Sequence, residues 1–202
     1  MLINTLCFGW VILAAFAAVL MRQRVFVYDT TEAVTAIVYE LIVMAMALVI
    51  LRARGWELAD FEIRPSLTNT FRGVFLYVAF IVGYALLGIV LYVGGVRAPA
   101  PPDMRFTAPV AITVVLCIVN PLFEELFVVA YNMKALENES AALAITFSAF
   151  IRFLYHVYQG PIPAVTILGF GLAAAALFRK WRSLWPLYIT HVLQDAVGIF
   201  YR

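Results

Sequence analysis

Seven stretches of this chain stay apolar for about 20 residues at a time, and that property decides what it folds into. A run of that length crosses the roughly 30 Å hydrocarbon core of a bilayer as a helix, which satisfies its own backbone where no water can. The runs fall at residues 2–21, 32–51, 71–93, 107–133, 141–158, 161–178 and 184–201. Composition agrees: 65% of the 202 residues are hydrophobic and 13% charged, against roughly half and a quarter in a soluble domain. The expected fold is all-α, a polytopic transmembrane helix bundle of about seven spans (range six to eight). It forms a single integral membrane domain over residues 1–202, with no room for a soluble one. Rossmann, TIM-barrel and nucleic-acid-binding folds are excluded.

The first run lacks a basic leader, and Arg22 and Arg24 follow it, so it reads as a span and not as a cleaved signal. Residues 52–69 mix Trp56 and Phe61 with Glu57, Asp60, Glu62 and Arg64, which predicts a short interfacial segment after the second span. Residues 94–109 hold Pro99, Pro101, Pro102 and Pro109 and read as a loop. With seven spans, Arg52, Arg54, Arg64, Arg72, Lys134, Arg179, Lys180 and Arg182 share one face, and Arg22, Arg24, Arg97, Arg105 and Arg202 the other. Eight against five makes the first face the cytoplasmic one. The net charge of +2 needs no anionic partner, because these residues sit at span ends. Cys7 and Cys117 lie inside apolar runs, where a thiol acts as a small hydrophobe.

Ionisable residues inside the runs are the informative exceptions. Each costs about 2.5–3.5 kcal/mol at mid-bilayer, so Glu124, Glu125, Arg152 and Asp195 must face one another or water. Arg152 and His156 are four apart, as are His191 and Asp195, so each pair shares a helix face. Adjacent Glu124 and Glu125 point about 100° apart, which suits them to different jobs. Both histidines of the chain fall at such positions, and imidazole is the proton-transfer group of neutral pH. Glu40 shows no partner in sequence and reads as a structural hydrogen-bonding residue. Phe147, Phe150, Phe153 and Tyr155 read as packing, and the small-residue run Gly169, Gly171 and Ala173 to Ala176 as a close helix contact.

Three motifs stand in order on three hydrophobic runs: Asn120-Pro-Leu-Phe-Glu124-Glu125-Leu-Phe, Arg152-Phe-Leu-Tyr-His156-Val-Tyr-Gln-Gly160, and Ser183-Leu-Trp-Pro-Leu-Tyr-Ile-Thr-His191-Val-Leu-Gln-Asp195. Together they resemble the CAAX protease and bacteriocin-processing (CPBP, or Abi) intramembrane proteases, which include the Rce1-type prenyl-protein endopeptidases. The motif-bearing core is about 107–202. Two positions depart from the family pattern: Val129 stands where the family has Arg, and Arg152 where it has Phe. One guanidinium can substitute for the other if Arg152 pairs with Glu125 across the bundle.

The resemblance implies a multi-pass protein of a bacterial or archaeal plasma membrane that hydrolyses a peptide bond by an activated water. Its substrate would be a CAAX-type prenyl-peptide or lipidated protein, or a peptide such as a bacteriocin, met in membrane lipid and not on nucleic acid. Glu124 would be the general base, sharing the water with His156. His191, oriented by Asp195, would stabilise the oxyanion, and Glu125 with Arg152 would hold the geometry. No cofactor is needed for this scheme. A zinc-dependent version is open, with Glu124, His156 and His191 as ligands, although the His-Glu-x-x-His helix of common zinc proteases is absent. A non-catalytic membrane immunity or transport protein could use the same polar cluster as a relay.

Overall fold

The computed structural model describes residues 2–96 and 100–200. Arg97, Pro99 and Arg202, used above in the charge count and the loop, lie outside the described residues, as does position 201 of the last run. The apolar runs become helices α1 (Leu2–Leu20), α2 (Thr30–Ala53), α3 (Leu67–Val93), α4 (Val110–Ala135), α5 (Ala141–His156), α6 (Pro161–Trp181) and α7 (Trp185–Phe200). Six of these, α1 to α6, are long and apolar enough to cross a membrane. The chain is an integral multi-pass membrane protein.

Polar side chains set the helix starts. Asp29 accepts from the Thr31 and Glu32 amides, Ser66 from Asn69 and Ser140 from Leu143, so α2, α3 and α5 begin on capped first turns. α3 therefore starts several residues before its apolar run does. Gly160, at φ 95°, turns the chain back into Pro161 at the head of α6.

Burial follows the logic of lipid and not of water. Much of α3 turns its Phe, Val, Ile and Leu side chains outward, while the polar residues Glu40, Glu124, Glu125, Asn132, Ser148, Arg152, Thr190 and His191 are buried. α4 is the central helix, with residues 123–133 buried without a break. α1 and α5 pack against α4's C-terminal half, α2 and α7 against its N-terminal half. α3 docks on α7 alone among its larger contacts, where Gly73 lets the backbones meet: a Cβ there would stand 2.7 Å from both the Pro186 carbonyl and Ile189 Cβ. Gly171 plays the same part between α6 and α5, against Ala149. Gly169 faces open space and is not part of that contact.

α4 is not uniform. Residues Glu125–Ala130 form a π-helical stretch, whose extra residue turns everything after it by about 100° relative to a regular helix. The wide turn needs outside partners. Asn132 Nδ2 donates to the Phe127 and Val128 carbonyls at 3.1 and 2.9 Å, and Ser148 Oγ of α5 donates to Val128 at 2.5 Å. Asn4 of α1 then donates to Asn132 at 2.7 Å, a buried polar crosslink.

The all-helix expectation leaves out one small feature. Strand β1 (Val25–Tyr28) pairs in parallel with β2 (Asp103–Phe106), Val25 opposite Asp103 through Tyr28 opposite Phe106. This joins the α1–α2 connection to the segment before α4, within the stretch read as loop. At the opposite end, the segment after α2 folds into a short turn, Leu58–Phe61, with Phe61 buried and Trp56 against Tyr131 of α4. Glu62 fastens it to the α6–α7 corner through Arg182 at 2.8 Å and the Leu184 amide at 2.9 Å.

Candidate active site

Mid-span on α4, Glu124 and Glu125 diverge as adjacent helical residues must. Glu124 lines a cavity of about 370 Å³, and Glu125, fully buried, sits behind it. His156, His191 and Asp195 line the same cavity. Its walls are aromatic, from Phe8, Tyr28, Tyr39, Phe106, Phe123, Tyr155 and Tyr158, and the two strands close one end through Tyr28, Met104 and Phe106.

Arg152 binds behind the cavity. Its Nη2 donates to Glu125 Oε1 at 2.6 Å and its Nη1 stands 3.6 Å from Glu124 Oε2. The guanidinium lies over the Phe170 ring at 5.4 Å, and its stem passes Gly171, the residue that admits α6 to this close contact. The pairing that would compensate for Val129 is thus present, while Val129 itself is buried in the core.

His191 is held by a different partner than its own helix suggests. Its Nδ1 is 2.8 Å from Glu125 Oε1; a carboxylate paired to Arg152 only accepts, so Nδ1 carries the hydrogen. Nε2 is left toward the cavity, 3.9 Å from Glu124 Oε2 and 3.7 Å from Asp195 Oδ1. Glu125, not Asp195, orients the ring. His156 ends α5 and its Nδ1 meets the Arg152 carbonyl at 2.9 Å, which fixes the hydrogen on Nδ1 and leaves Nε2 to serve the cavity.

Three side chains join the cluster that sequence reasoning left out. Tyr155, read as packing, donates its hydroxyl to Glu124 Oε2 at 2.6 Å while its ring stacks on Phe8 at 5.1 Å. Glu40, read as a lone structural acid, reaches the cavity from α2, and Asn120 donates to it at 2.7 Å. The same Asn120 nitrogen is 3.4 Å from Glu124 Oε1. Asn120 precedes Glu124 by one turn on the same face, which was the available signal. Tyr155 and Glu40 gave none, because their partners come from other helices.

The cluster can activate and hold a water. Glu124 Oε2 accepts from the Tyr155 hydroxyl with the Arg152 guanidinium 3.6 Å away, and two imidazoles share its cavity. Among the described residues, no three His, Cys, Asp or Glu side chains gather as the ligands of a metal ion would.

Residues 106–197 match the family described as Type II CAAX prenyl endopeptidase Rce1-like, which is the resemblance the three motifs carry. No curated protein and no solved structure is significantly similar to the chain.

Proposed function

Because the segment bearing the three motifs is Rce1-like, we propose that the protein is an intramembrane endopeptidase that hydrolyses a peptide bond with water activated by Glu124. The observation that supports this most is the convergence of Glu124, His156 and His191, from three helices, on one cavity. The substrate is a membrane-associated peptide of the CAAX prenyl class, and the aromatic walls suit an apolar chain beside a polar floor.

In the reaction, a water held between Glu124 and His156 Nε2 gives a proton to Glu124 as its oxygen attacks the scissile carbonyl. The carbonyl oxygen becomes an oxyanion, stabilised by donation from His191 Nε2, which carries the second ring hydrogen because the carboxylates of Glu125, Glu124 and Asp195 around the ring hold it as an imidazolium. The carbon–nitrogen bond then breaks, and the proton on Glu124 passes to the leaving amine. Acid and amine are the products; one water is consumed and every protein group returns to its starting state. Glu125 and Arg152 keep His191 and Glu124 in register and touch no reacting atom.

In this scheme Glu124 takes the proton from water and His191 holds the oxyanion, so no step calls on a metal. Purified protein in liposomes, given an internally quenched farnesylated CAAX peptide, should cleave it. Glu124→Gln should lower the rate by roughly a hundredfold or more, and dialysis against a chelator should leave the wild-type rate unchanged. Proton or ion flux without cleavage would instead make the cluster a relay. Activity lost on chelation and restored by zinc would move water activation to a metal.

A further inference from the structure

Glu40 belongs to none of the three motifs and comes from a helix outside the matched segment, yet it reaches the centre of the site. It is 7% exposed, lines the cavity, and its Oε2 has no hydrogen-bond partner among the described residues. Its other oxygen accepts from Asn120 Nδ2 at 2.7 Å. The second hydrogen of that amide points to Glu124 Oε1 at 3.4 Å.

The two oxygens of Glu124 differ in their surroundings. Oε2 takes the Tyr155 hydroxyl at 2.6 Å and has Arg152 and His191 nitrogens at 3.6 and 3.9 Å. Oε1 has only the long Asn120 contact among the described residues. Oε1 is therefore the atom with lone pairs left for a water, and Asn120 is the group that aims it. An asparagine amide has two ends. Its contact to Glu124 is the long one, so freed of Glu40 the amide could swing away from Oε1; Glu40 accepts from the nitrogen end at 2.7 Å and so holds that end beside Glu124.

We propose that Glu40 is a positioning residue for Glu124, acting through Asn120, with Glu124 Oε1 as the atom that takes the proton from water. This rests on the reading of Glu124 as general base. What position 40 must supply is an acceptor and not a charge: a glutamine there can still accept from Asn120 through its carbonyl oxygen.

The test uses the full-length protein in liposomes with the farnesylated CAAX peptide, together with infrared spectra of the substrate-free protein. Carboxylate bands of Glu124 are assigned by subtracting the Glu124→Gln spectrum. Glu40→Leu should lower kcat by roughly tenfold to a hundredfold, the loss of the Asn120 hydrogen bond to the Glu124 carboxylate, with KM unchanged. Its Glu124 band should shift. Glu40→Gln should keep both kcat and the band near wild type. Glu40→Asp, which retains the acid but not the reach, should behave like Glu40→Leu and decides the matter if the leucine variant fails to fold. A wild-type kcat or an unmoved band in folded Glu40→Leu or Glu40→Asp overturns the proposal, as does a Glu40→Gln variant as slow as Glu40→Leu. Should wild-type protein leave the peptide uncut, the hydrolase reading fails, and the infrared arm still decides whether Glu40 sets Glu124.

Discussion

Arg152 is a fully enclosed cation whose Nη2 and Nη1 reach Glu125 and Glu124 at 2.6 and 3.6 Å. Removing one partner of such a pair leaves the other as an unpaired charge, which costs about 3–5 kcal/mol. Arg152→Ala should therefore lower the unfolding temperature sharply and abolish activity. Adding Glu125→Gln removes the stranded carboxylate and should recover part of the stability, measured by thermal unfolding in detergent; equal melting of single and double variants would show that the pair is not coupled. At this scale the sequence was informative where a charge stood in an apolar run, since Glu124, Glu125, Arg152, His156 and His191 have no cheap alternative to meeting. It was silent where a residue had a plausible ordinary role. Tyr155 sits among phenylalanines and only its hydroxyl, aimed at a helix far off in sequence, sets it apart. The role of Asp195 was likewise drawn from spacing, whereas the hydrogen bond to His191 comes from Glu125 on another helix.

Between elements, contact is decided by the smallest residues. Gly73 is where α3 meets α7, with the Pro186 carbonyl and Ile189 in the space a Cβ would take and Thr190 Oγ1 donating to its own carbonyl at 2.9 Å. Backbone cannot yield as a side chain end can. Gly73→Ala should destabilise by about 1–3 kcal/mol through overpacking, while Gly83→Ala and Gly88→Ala, with open space around them, should melt like wild type or slightly higher. An undisturbed Gly73→Ala would mean that the two helices are not in register as described. The helices themselves were legible because apolar length and the caps Asp29, Ser66 and Ser140 are local properties. The π-helical stretch was not: Glu125–Ala130 has an ordinary helical composition, and of what sustains it the Ser148 hydroxyl becomes visible only when α5 lies alongside. Strands of four residues pairing across two helices carry no periodicity long enough to read.

Across the whole molecule, the cavity is nearer one end of the bundle than the other. Tyr28, Met104 and Phe106 line it from the end that holds both strands, and the turn Leu58–Phe61 follows α2 at the opposite end. The eight basic residues lie toward the latter, so that end should face the cytoplasm. In a background with Cys7 and Cys117 replaced by alanine, a membrane-impermeant maleimide added to intact cells should label Val27→Cys and spare Leu58→Cys until the cells are opened. Both positions are exposed; the reverse labelling would turn the molecule over. The paired strands also have a mechanical meaning. β1 runs directly into α2, which carries Glu40, and β2 leads into α4, which carries Asn120 and Glu124. Anything that tried to wedge these two helices apart from the lipid side would first have to tear a hydrogen-bonded ladder, so that flank is a wall, and traffic to the carboxylates must pass by another door.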